Sequence, residues 1–356
     1  MMGRVYLLTG AAGFLGNNIA KQLLEKGCKV RGLVLEGDKA EQYIPRGVEI
    51  VHGDLLDVKS LEQFFDVEEE EIICIHCASI VYLKEEPNDF VKRVNVDGTK
   101  NIIDFCLRKN VKKMVYVSST GTVSELPHGI KMKEPKRFDL DKIVGYYGKT
   151  KAMATELVMN AVQNQGLPAT IVYPTGICGP NDYAHGPVST FIIQYCNGET
   201  KMGVPGSFNS VDVRDLAAGT IACVEKGGIG EGYILGNDVV SMRQMFQYIS
   251  QAGNVKLVKT VLPMAVTKLI VKGGILLGKV THKDPLFTEL MMYNLVRNND
   301  YDSSKARKEL GYSTRPFSET IYDEVKWLNE EGMIQVDMAP VQSKAKNKIS
   351  DVGATV

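Results

Sequence analysis

The sequence predicts an α/β fold, a doubly wound parallel sheet in the first half of the chain followed by a smaller mixed α/β region. Two observations lead to this prediction. Short apolar runs alternate with longer helical patterns over residues 1–175, which is the order expected of parallel strands that helices connect. Several of these runs are also continuous in Val, Ile and Leu, as strands buried on both faces of a sheet require.

Each apolar run in this half has the length of a strand, and the longer segments between runs have a helical pattern. Strands are expected at 5–8, 30–35, 48–51, 72–77, 114–118 and 170–173. Helices are expected at 14–26, 58–66, 88–109 and 146–164. With right-handed crossovers between parallel strands, this order puts helices on both faces of one sheet.

The pattern is looser in the second half, where Gly, Pro and Asn concentrate. Helices are expected there at 213–226, 241–252, 260–278, 305–310 and 318–331. We expect a first domain over residues 1–175, a second region over 176–337 and a disordered tail over 338–356. The stretch 211–236 is expected to return to the sheet of the first domain, so that the two regions partly interleave.

The composition limits the class of protein. The chain has 356 residues, with 42 basic and 42 acidic side chains and a formal net charge of zero. Nucleic-acid-binding proteins carry a basic excess, so we expect no nucleic-acid partner. The uncharged apolar runs are too short to span a membrane, and the apolar run at Val5 starts too near the N-terminus for a signal peptide.

The seven cysteines indicate a reducing compartment. They are odd in number and scattered along the chain, whereas secreted disulfide-stabilised proteins have dense, paired cysteines. Cys74 and Cys77 alone have a metal-like spacing, but they lie in a predicted strand, where residues three apart point to opposite faces. We therefore expect a cytoplasmic protein without a metal site.

A glycine-rich turn follows the first predicted strand and leads into an amphipathic helix. Gly10 permits the tight turn, Gly13 lets the backbone approach a pyrophosphate, and Gly16 lets the helix pack closely. The N–H groups at the start of this helix, around Phe14 and Leu15, would face the phosphates together with the positive end of the helix dipole. The turn therefore predicts a dinucleotide-binding site.

The glycine spacing, preceded by Thr9, is G-x-x-G-x-x-G rather than G-x-G-x-x-G. Six further motifs follow in order, namely Gly53-Asp54-Leu55, Ile75-His76-Cys77-Ala78, Asn95-Val96-Asp97-Gly98-Thr99, Val117-Ser118-Ser119, Tyr147-Gly148-Lys149-Thr150-Lys151 and Tyr173-Pro174-Thr175-Gly176. In combination they resemble the extended branch of the short-chain dehydrogenase/reductase superfamily, which includes NAD-dependent epimerases and dehydratases. The resemblance implies a Rossmann dinucleotide-binding domain and a nicotinamide dinucleotide cofactor.

The resemblance also implies which residues contact the cofactor. Asp54 and Leu55 would contact the adenine, while Cys77 and Ala78 would line the path of the cofactor. The residues expected beside the nicotinamide are Pro174, Thr175 and Ile177.

The choice of dinucleotide depends on the end of the second predicted strand. An acid there favours the ribose hydroxyls of NAD, whereas an arginine favours the 2′-phosphate of NADP. Glu36 is the charged residue nearest to this strand end. We therefore expect NAD, and NADP stays open because Val34 and Leu35 occupy the positions at which relatives carry Asp or Arg.

Tyr147 and Lys151 are the predicted reacting pair. They stand four residues apart on a predicted helix, so their side chains share one face. A phenol has a pKa of about 10, and a neighbouring ammonium together with the positive nicotinamide ring is expected to lower that pKa and make the phenol an effective acid–base group. Lys151 is also expected to bind the nicotinamide ribose.

Two further positions complete the set that the resemblance implies. Ser119 matches the family serine that donates a hydrogen bond to the substrate oxygen, and Thr120 is the alternative for this role. Both follow a predicted strand at the carboxyl edge of the sheet, where ligands of doubly wound folds bind. Asn95 matches the family asparagine that orders a proton-relaying water.

The chemistry that the family shares is hydride transfer between nicotinamide and an alcohol or carbonyl carbon. Simple oxidation or reduction, epimerisation through a transient ketone, and dehydration all remain open. The apolar segments 257–280 and 286–295 indicate either the core of the second region or a lid over an apolar substrate. Residues 111–123 resemble dihydroflavonol reductases, and the apolar C-terminal segment resembles that of 3β-hydroxysteroid dehydrogenases.

We therefore expect an NAD(P)-dependent oxidoreductase, a homodimer by resemblance, acting on a secondary alcohol or ketone of an apolar, cyclic, steroid- or flavonoid-like molecule. A sugar-nucleotide epimerase or dehydratase is the alternative, although the basic candidates for binding a second diphosphate, Lys201, Arg214 and Arg243, are scattered. A non-catalytic dinucleotide sensor is a further alternative, which would predict a degraded Ser–Tyr–Lys set.

Overall fold

The main sheet of the protein is built from seven parallel strands, in a computed structural model that describes residues 3–269 and 289–340. Its strands are β1 (Arg4–Thr9), β2 (Lys29–Val34), β3 (Glu49–His52), β4 (Glu71–His76), β5 (Lys113–Val117), β6 (Ala169–Pro174) and β9 (Gly232–Leu235). They lie in the order β3-β2-β1-β4-β5-β6-β9. The order reverses between β1 and β4, which makes their carboxyl ends the switch point at which doubly wound folds bind ligands.

The predicted fold class is confirmed. Each of the six predicted strands is present with bounds within one residue of the expected ones, because continuous apolar runs match strands that are buried on both faces. The first-half helices are α1 (Phe14–Glu25), α2 (Val58–Phe64), α3 (Asp89–Lys92), α4 (Gly98–Arg108) and α5 (Tyr146–Gln165). A π-helical turn over Arg93–Asp97 joins α3 to α4, so the single helix predicted at 88–109 is interrupted there.

A second, three-stranded sheet lies in the other half of the chain. It contains β7 (Gly176–Cys178), β8 (Ser207–Asp212) and β10 (Val239–Ser241) in the order β10-β8-β7. The other helices described in this half are α6 (Pro187–Cys196), α7 (Val213–Lys226), α8 (Met242–Ala252) and three later ones at Glu289–Val296, Ser304–Leu310 and Phe317–Glu330. The smaller mixed region is thus present, and the placement of a domain boundary at residue 175 remains a prediction.

The sequence analysis missed the strands of this second sheet. β8 has the sequence Ser-Phe-Asn-Ser-Val-Asp, which lacks the apolar run of a buried strand, yet its last four residues are buried. The Asn209 side chain exchanges hydrogen bonds with the backbone of Asn237, and Asp212 pairs with the distant Arg315 as well as with neighbouring Arg214. Tertiary partners thus satisfy polar groups that would otherwise be costly to bury.

Several expectations fall partly outside the described residues. The expected helix 260–278 is described only as far as residue 269 and is helical over 264–269. The apolar segments 257–280 and 286–295 are likewise described only in part, and the expected tail 338–356 only over 338–340. Among the described helices, none combines the length and the hydrophobicity that a membrane crossing requires.

A buried acid fixes the loop between β7 and α6. Glu324, on the last helix, is fully buried; it accepts the Gly179 N–H at 2.9 Å and lies 2.9 Å from Ser189 Oγ. Ser189 Oγ also lies 2.7 Å from an oxygen of Asp182. A hydroxyl has a single proton, so both contacts are satisfied when Ser189 donates to Asp182 and a neutral Glu324 donates to Ser189.

The electrostatics agree with a neutral Glu324. Burial raises the pKa of Glu324 to about 8, and the charges of Asp182 and Asp212 act in the same direction against the opposing hydrogen bonds. The loop 179–187 is therefore tied to the last helix by an uncharged carboxyl group.

We expect Glu324→Gln to remove part of the pH dependence of stability. The folded chain keeps a proton on Glu324 that the unfolded chain loses above a pH of about 4.5, so this group makes stability fall as pH rises from about 4.5 to about 8. Glutamine is neutral throughout and can retain both hydrogen bonds. Urea unfolding at several pH values between these limits measures the effect.

The matched control is Glu330→Gln, an exposed carboxylate on the same helix that pairs with Lys326. It should leave the slope of stability against pH close to that of the wild type. An unchanged slope in Glu324→Gln would contradict the neutral state of Glu324.

Candidate active site

The glycine turn between β1 and α1 has no room for side chains. Gly10 has a φ of +71°, and a Cβ there would lie 2.9 Å from the Ala78 backbone nitrogen. A Cβ on Gly16 would lie 2.0 Å from the Gly10 oxygen, which accepts the Gly13 N–H at 3.0 Å. No carboxylate occupies the first turn of α1 and no side chain caps it. The turn therefore exposes helix N–H groups in the arrangement that binds anions.

The residues that follow the turn are packed rather than free. Leu15 is buried in the core and Phe14 is partly buried against it. Gly32 on β2 also shapes the turn, since a Cβ there would lie 2.7 Å from the Ala11 Cβ. The sequence analysis gave Gly32 no role, because a single glycine within a strand is a weak signal.

The predicted adenosine-side residues lie at the carboxyl ends of β2 and β3. Glu36 is exposed just beyond β2. Asp54 is half-buried and accepts the Leu56 N–H at 2.9 Å through its carboxylate. The Leu55 side chain is buried against Gly98, so only its backbone can face a ligand.

A buried hydrogen-bond chain links the turn to α4. His76 Nδ1 lies 2.6 Å from Thr9 Oγ1, and His76 Nε2 lies 3.0 Å from Thr99 Oγ1. Thr9 Oγ1 accepts the Ala78 N–H, and Thr99 donates to the Asn95 carbonyl at 2.7 Å. These directions fit a neutral His76 with its proton on Nε2. Burial lowers the pKa of His76 to about 3, so the imidazole is uncharged.

The Thr9–His76–Thr99 hydrogen bonds hold Cys77 and Ala78 against the glycine turn at the switch point. Cys77 donates its N–H to the Thr9 carbonyl at 3.3 Å, and burial raises the pKa of its thiol to about 12. The sequence analysis found no partner for His76 because threonines 67 and 23 residues away in the chain leave no local signal.

Tyr147 meets two serine hydroxyls at the carboxyl edge of the sheet. The side chains of Ser79 and Ser119 lie beside the phenol and act to lower its pKa. Ser119 follows β5 and its Oγ accepts the Gly121 N–H at 3.0 Å. Thr120 instead donates to the Pro174 carbonyl at 2.9 Å and is buried. Of the two alternatives for the substrate-facing hydroxyl, Ser119 is the one beside Tyr147.

A glycine in α5 allows Tyr147 to lie beside Ser119. A Cβ on Gly148 would lie 2.6 Å from the Gly121 backbone oxygen, so α5 lies directly on the 3-10 turn Thr120–Thr122 that follows Ser119. Tyr147 is the preceding residue and is therefore brought to the Ser119 loop.

Lys151 is not directed at Tyr147 in this structure. It is buried and donates to the Val117 carbonyl at 2.6 Å, with its Nζ 4.5 Å from the centre of the Tyr116 ring. Burial lowers the pKa of Lys151 to about 7. Burial also raises the pKa of Tyr147, opposed only by the hydroxyls of Ser79 and Ser119. With Lys151 bound to the Val117 carbonyl, the expected lowering of the Tyr147 pKa by Lys151 and a bound nicotinamide ring stays a prediction.

Asn95 acts as a structural link. It is buried in the π-helical turn. Its side chain accepts the Ile80 N–H at 2.8 Å and donates to the Ile80 carbonyl and to Thr150 Oγ1. The amide thus ties the segment after β4 to the helix that carries Tyr147. π-helical turns are frequent at functional sites.

The predicted nicotinamide-side residues lie at the end of β6. Pro174 and Thr175 are buried and Ile177 is partly buried. The Thr175 hydroxyl is buried and has no hydrogen-bond partner among the described residues. A buried hydroxyl without a partner is uncommon, and it fits a site that receives polar ligand atoms.

A family model described as the NAD dependent epimerase/dehydratase family matches residues 6–236. A relative from Methylococcus capsulatus named sterol demethylase protein B is 28% identical, over 92% of this chain and 99% of that relative. A relative from Synechocystis, provisionally named dihydroflavonol 4-reductase, is 27% identical over 94% of this chain and 97% of its own. The solved structure of gox2253 is 27% identical with a TM-score of 0.81, covering 94% of this chain and 100% of that one.

We expect Gly148→Ala to destabilise the fold and to separate α5 from the Ser119 loop. The new methyl group would contact a backbone oxygen, which cannot move as a flexible side chain can, and such overpacking typically costs about 1–3 kcal/mol. Urea unfolding measures the loss.

Gly253→Ala is the matched control, because its φ is −90° and the nearest atom to a new Cβ would be 3.5 Å away. Its stability should stay within about 0.5 kcal/mol of the wild type. Equal effects of the two substitutions would contradict the close contact of α5 with the loop.

Proposed function

Because the chain belongs to the NAD dependent epimerase/dehydratase family, and so to the extended short-chain dehydrogenase/reductase enzymes, we propose that it transfers a hydride between NAD and a secondary alcohol or ketone of an apolar, cyclic substrate. The observation that carries this proposal is the position of Ser119 beside the Tyr147 phenol, which the close approach of Gly148 to the Gly121 oxygen fixes. This position is at the carboxyl edge of the sheet, where doubly wound folds bind their cofactors.

The glycine turn is the proposed pyrophosphate site. The free N–H groups of α1 and the positive end of its dipole favour phosphate oxygens. Asp54 and the Leu55 backbone would lie along the adenine, and exposed Glu36 would favour the ribose hydroxyls of NAD over a 2′-phosphate. Cys77 and Ala78 would line the path between the two ends.

The nicotinamide would lie beside Pro174, Thr175 and Ile177. Bound there, NAD supplies the carbon that accepts or donates the hydride. The buried Thr175 hydroxyl would gain a polar partner. Lys151 would bind the nicotinamide ribose after leaving the Val117 carbonyl, a change that needs only a side-chain rotation because its helix is already in place.

Tyr147 is the proposed proton donor and acceptor for the substrate oxygen. In ketone reduction its hydroxyl would give a proton to that oxygen, while Ser119 would donate a hydrogen bond to the same atom as negative charge develops. The raised pKa of Tyr147 keeps the phenol protonated at neutral pH.

Asn95 is proposed as a positioning residue, because its amide joins the segment after β4 to Thr150 on α5. The water relay that the family resemblance implies at this position remains a prediction. Homodimer formation and a cytoplasmic location likewise remain proposals.

An apolar substrate is supported by a cavity next to β8. It has a volume of about 380 Å³ and is lined by residues 204–206, 261–264 and 241–243. Most of these side chains are apolar, and Arg243 contributes the charge. From Gly206 the strand runs to Ser210, which pairs with Gly176 at the nicotinamide side, a separation of roughly 13 Å at the rise of a strand.

A sugar-nucleotide epimerase or dehydratase is the second candidate, since the matched family includes both activities. Such an enzyme needs cations for a second diphosphate. Arg214 is already paired with Asp212 and Asp323, at 2.7 Å to each, which leaves Lys201 and Arg243 of the predicted cations. This pairing favours the apolar substrate.

We expect the wild-type protein to oxidise reduced NAD in the presence of cyclic ketones such as steroids or flavonoids. Tyr147→Phe should lower kcat by about 10²–10⁴-fold, since the phenol is the proton donor, and should leave the affinity for NADH unchanged. Absorbance of the reduced nicotinamide measures turnover, and titration of NADH fluorescence measures affinity.

The matched control is Tyr146→Phe, which keeps the buried ring that packs edge-on against Tyr82 and should retain wild-type turnover. Turnover of nucleotide sugars but not of cyclic ketones would contradict the proposed apolar substrate and favour the sugar-nucleotide enzyme. Full activity of Tyr147→Phe would contradict the role of the Tyr147 phenol as proton donor.

The two directions of the reaction should differ in their pH dependence. Reduction needs protonated Tyr147, whose pKa is raised, so its rate should be flat through neutral pH. Oxidation needs the phenolate, so its rate should rise about tenfold per pH unit in the same range. Initial rates in both directions between pH of about 6 and 9 test this, and an oxidation rate that is flat over that range would contradict it.

A further inference from the structure

Two aromatic rings, one from the segment after β2 and one from the loop after β7, stack on each other. Tyr43 ends the 3-10 helix Lys39–Tyr43 that follows β2, and Tyr183 lies in the loop between β7 and α6. Their ring centres are 3.8 Å apart and the planes differ by 4°. The β2 end is the proposed adenosine side and the β7 end is the proposed nicotinamide side, so the stack joins the two.

The stack lies beside the glycine turn. Asn17 is the fourth residue of α1, and its side-chain amide donates to the Tyr43 carbonyl at 2.8 Å. An α-helix rises 1.5 Å per residue, so Asn17 is roughly 5 Å from the start of the helix. The backbone of Tyr43 is therefore held beside the first turn of α1, whose N–H groups form the proposed pyrophosphate site.

The two sides of the stack differ in how firmly they are held. Tyr183 lies in the loop that Glu324 fixes through Gly179, and its ring packs edge-on against Trp327 at 5.4 Å. Tyr43 is 39% exposed and belongs to a short 3-10 helix. Opening of the stack therefore requires movement of the Tyr43 side, while the Tyr183 side stays in place.

We propose that Tyr43 and Tyr183 form an aromatic clasp that closes the outer side of the cofactor cleft and slows the release of the dinucleotide. The clasp rests on the proposed function in one respect, namely that a dinucleotide binds at the glycine turn. An enzyme that oxidises or reduces its substrate must exchange the dinucleotide at each turnover, and such release steps often limit kcat. Tyr43 and Tyr183 are thus positioning residues for the cofactor.

The test measures the dissociation rate of NADH. Trp327 is the single tryptophan of the chain and lies against Tyr183, so energy transfer from Trp327 to NADH reports on bound dinucleotide. Stopped-flow displacement of NADH by excess NAD then gives the rate. A stacked aromatic pair contributes about two- to tenfold in an equilibrium constant, so Tyr43→Ala and Tyr183→Ala should each raise the dissociation rate by about that factor.

The double variant separates a clasp from independent structural effects. Because both substitutions break the same contact, the double variant should dissociate no faster than the faster single variant. Tyr43→Phe retains the ring and should dissociate as slowly as the wild type. Tyr248→Ala is the control, since it removes a ring that packs on Phe317 at 6.0 Å outside this contact, and it should leave the rate unchanged.

Two results would overturn the clasp alone: NADH binds the wild type but dissociates at the same rate from the alanine variants, or the two substitutions multiply in the double variant. A wild-type protein that binds neither NADH nor NADPH would overturn the clasp and the proposed function together. Tyr43→Ala keeps the test decisive should Tyr183→Ala fail to fold, because Tyr43 lies on the exposed side of the stack.

Discussion

The direct contact of α5 with the loop after β5 is the constraint on which the candidate site depends. Gly148 has no side chain, so the helix backbone approaches the Gly121 oxygen closely. Ser119 at the end of a strand and Tyr147 at the start of a helix are thereby brought together. Neither element positions a reacting hydroxyl alone, because the orientation of each depends on this close packing.

Removal of water sets the charge state of the site. His76, Lys151 and Tyr147 all have pKa values shifted toward their neutral forms, with burial as the first cause in each. At neutral pH His76 and Tyr147 are therefore uncharged and Lys151 is only partly protonated, which leaves electrostatic stabilisation largely to the helix dipole and the hydroxyl groups. A bound dinucleotide would bring the charge that this interior lacks.

The proposed aromatic clasp depends on the second region of the chain. The last helix carries both Glu324, which fixes the loop after β7, and Trp327, which supports Tyr183. The position of Tyr183 is thus determined by a helix more than 130 residues away in the chain. Cofactor exchange and the integrity of this helix should therefore be coupled.

Local patterns in the sequence were sufficient for the main sheet and for the types of residue in the site. A strand buried on both faces must be a continuous apolar run, and a turn as tight as that at Gly10 requires glycine, so both leave a signal within a few neighbouring residues. The polar strand β8, the link from Asn95 to Thr150, the direction of Lys151 and the Tyr43–Tyr183 stack leave no such signal. They depend on partners that are distant in the chain or on burial, and only the tertiary structure decides which groups meet and which lose their water.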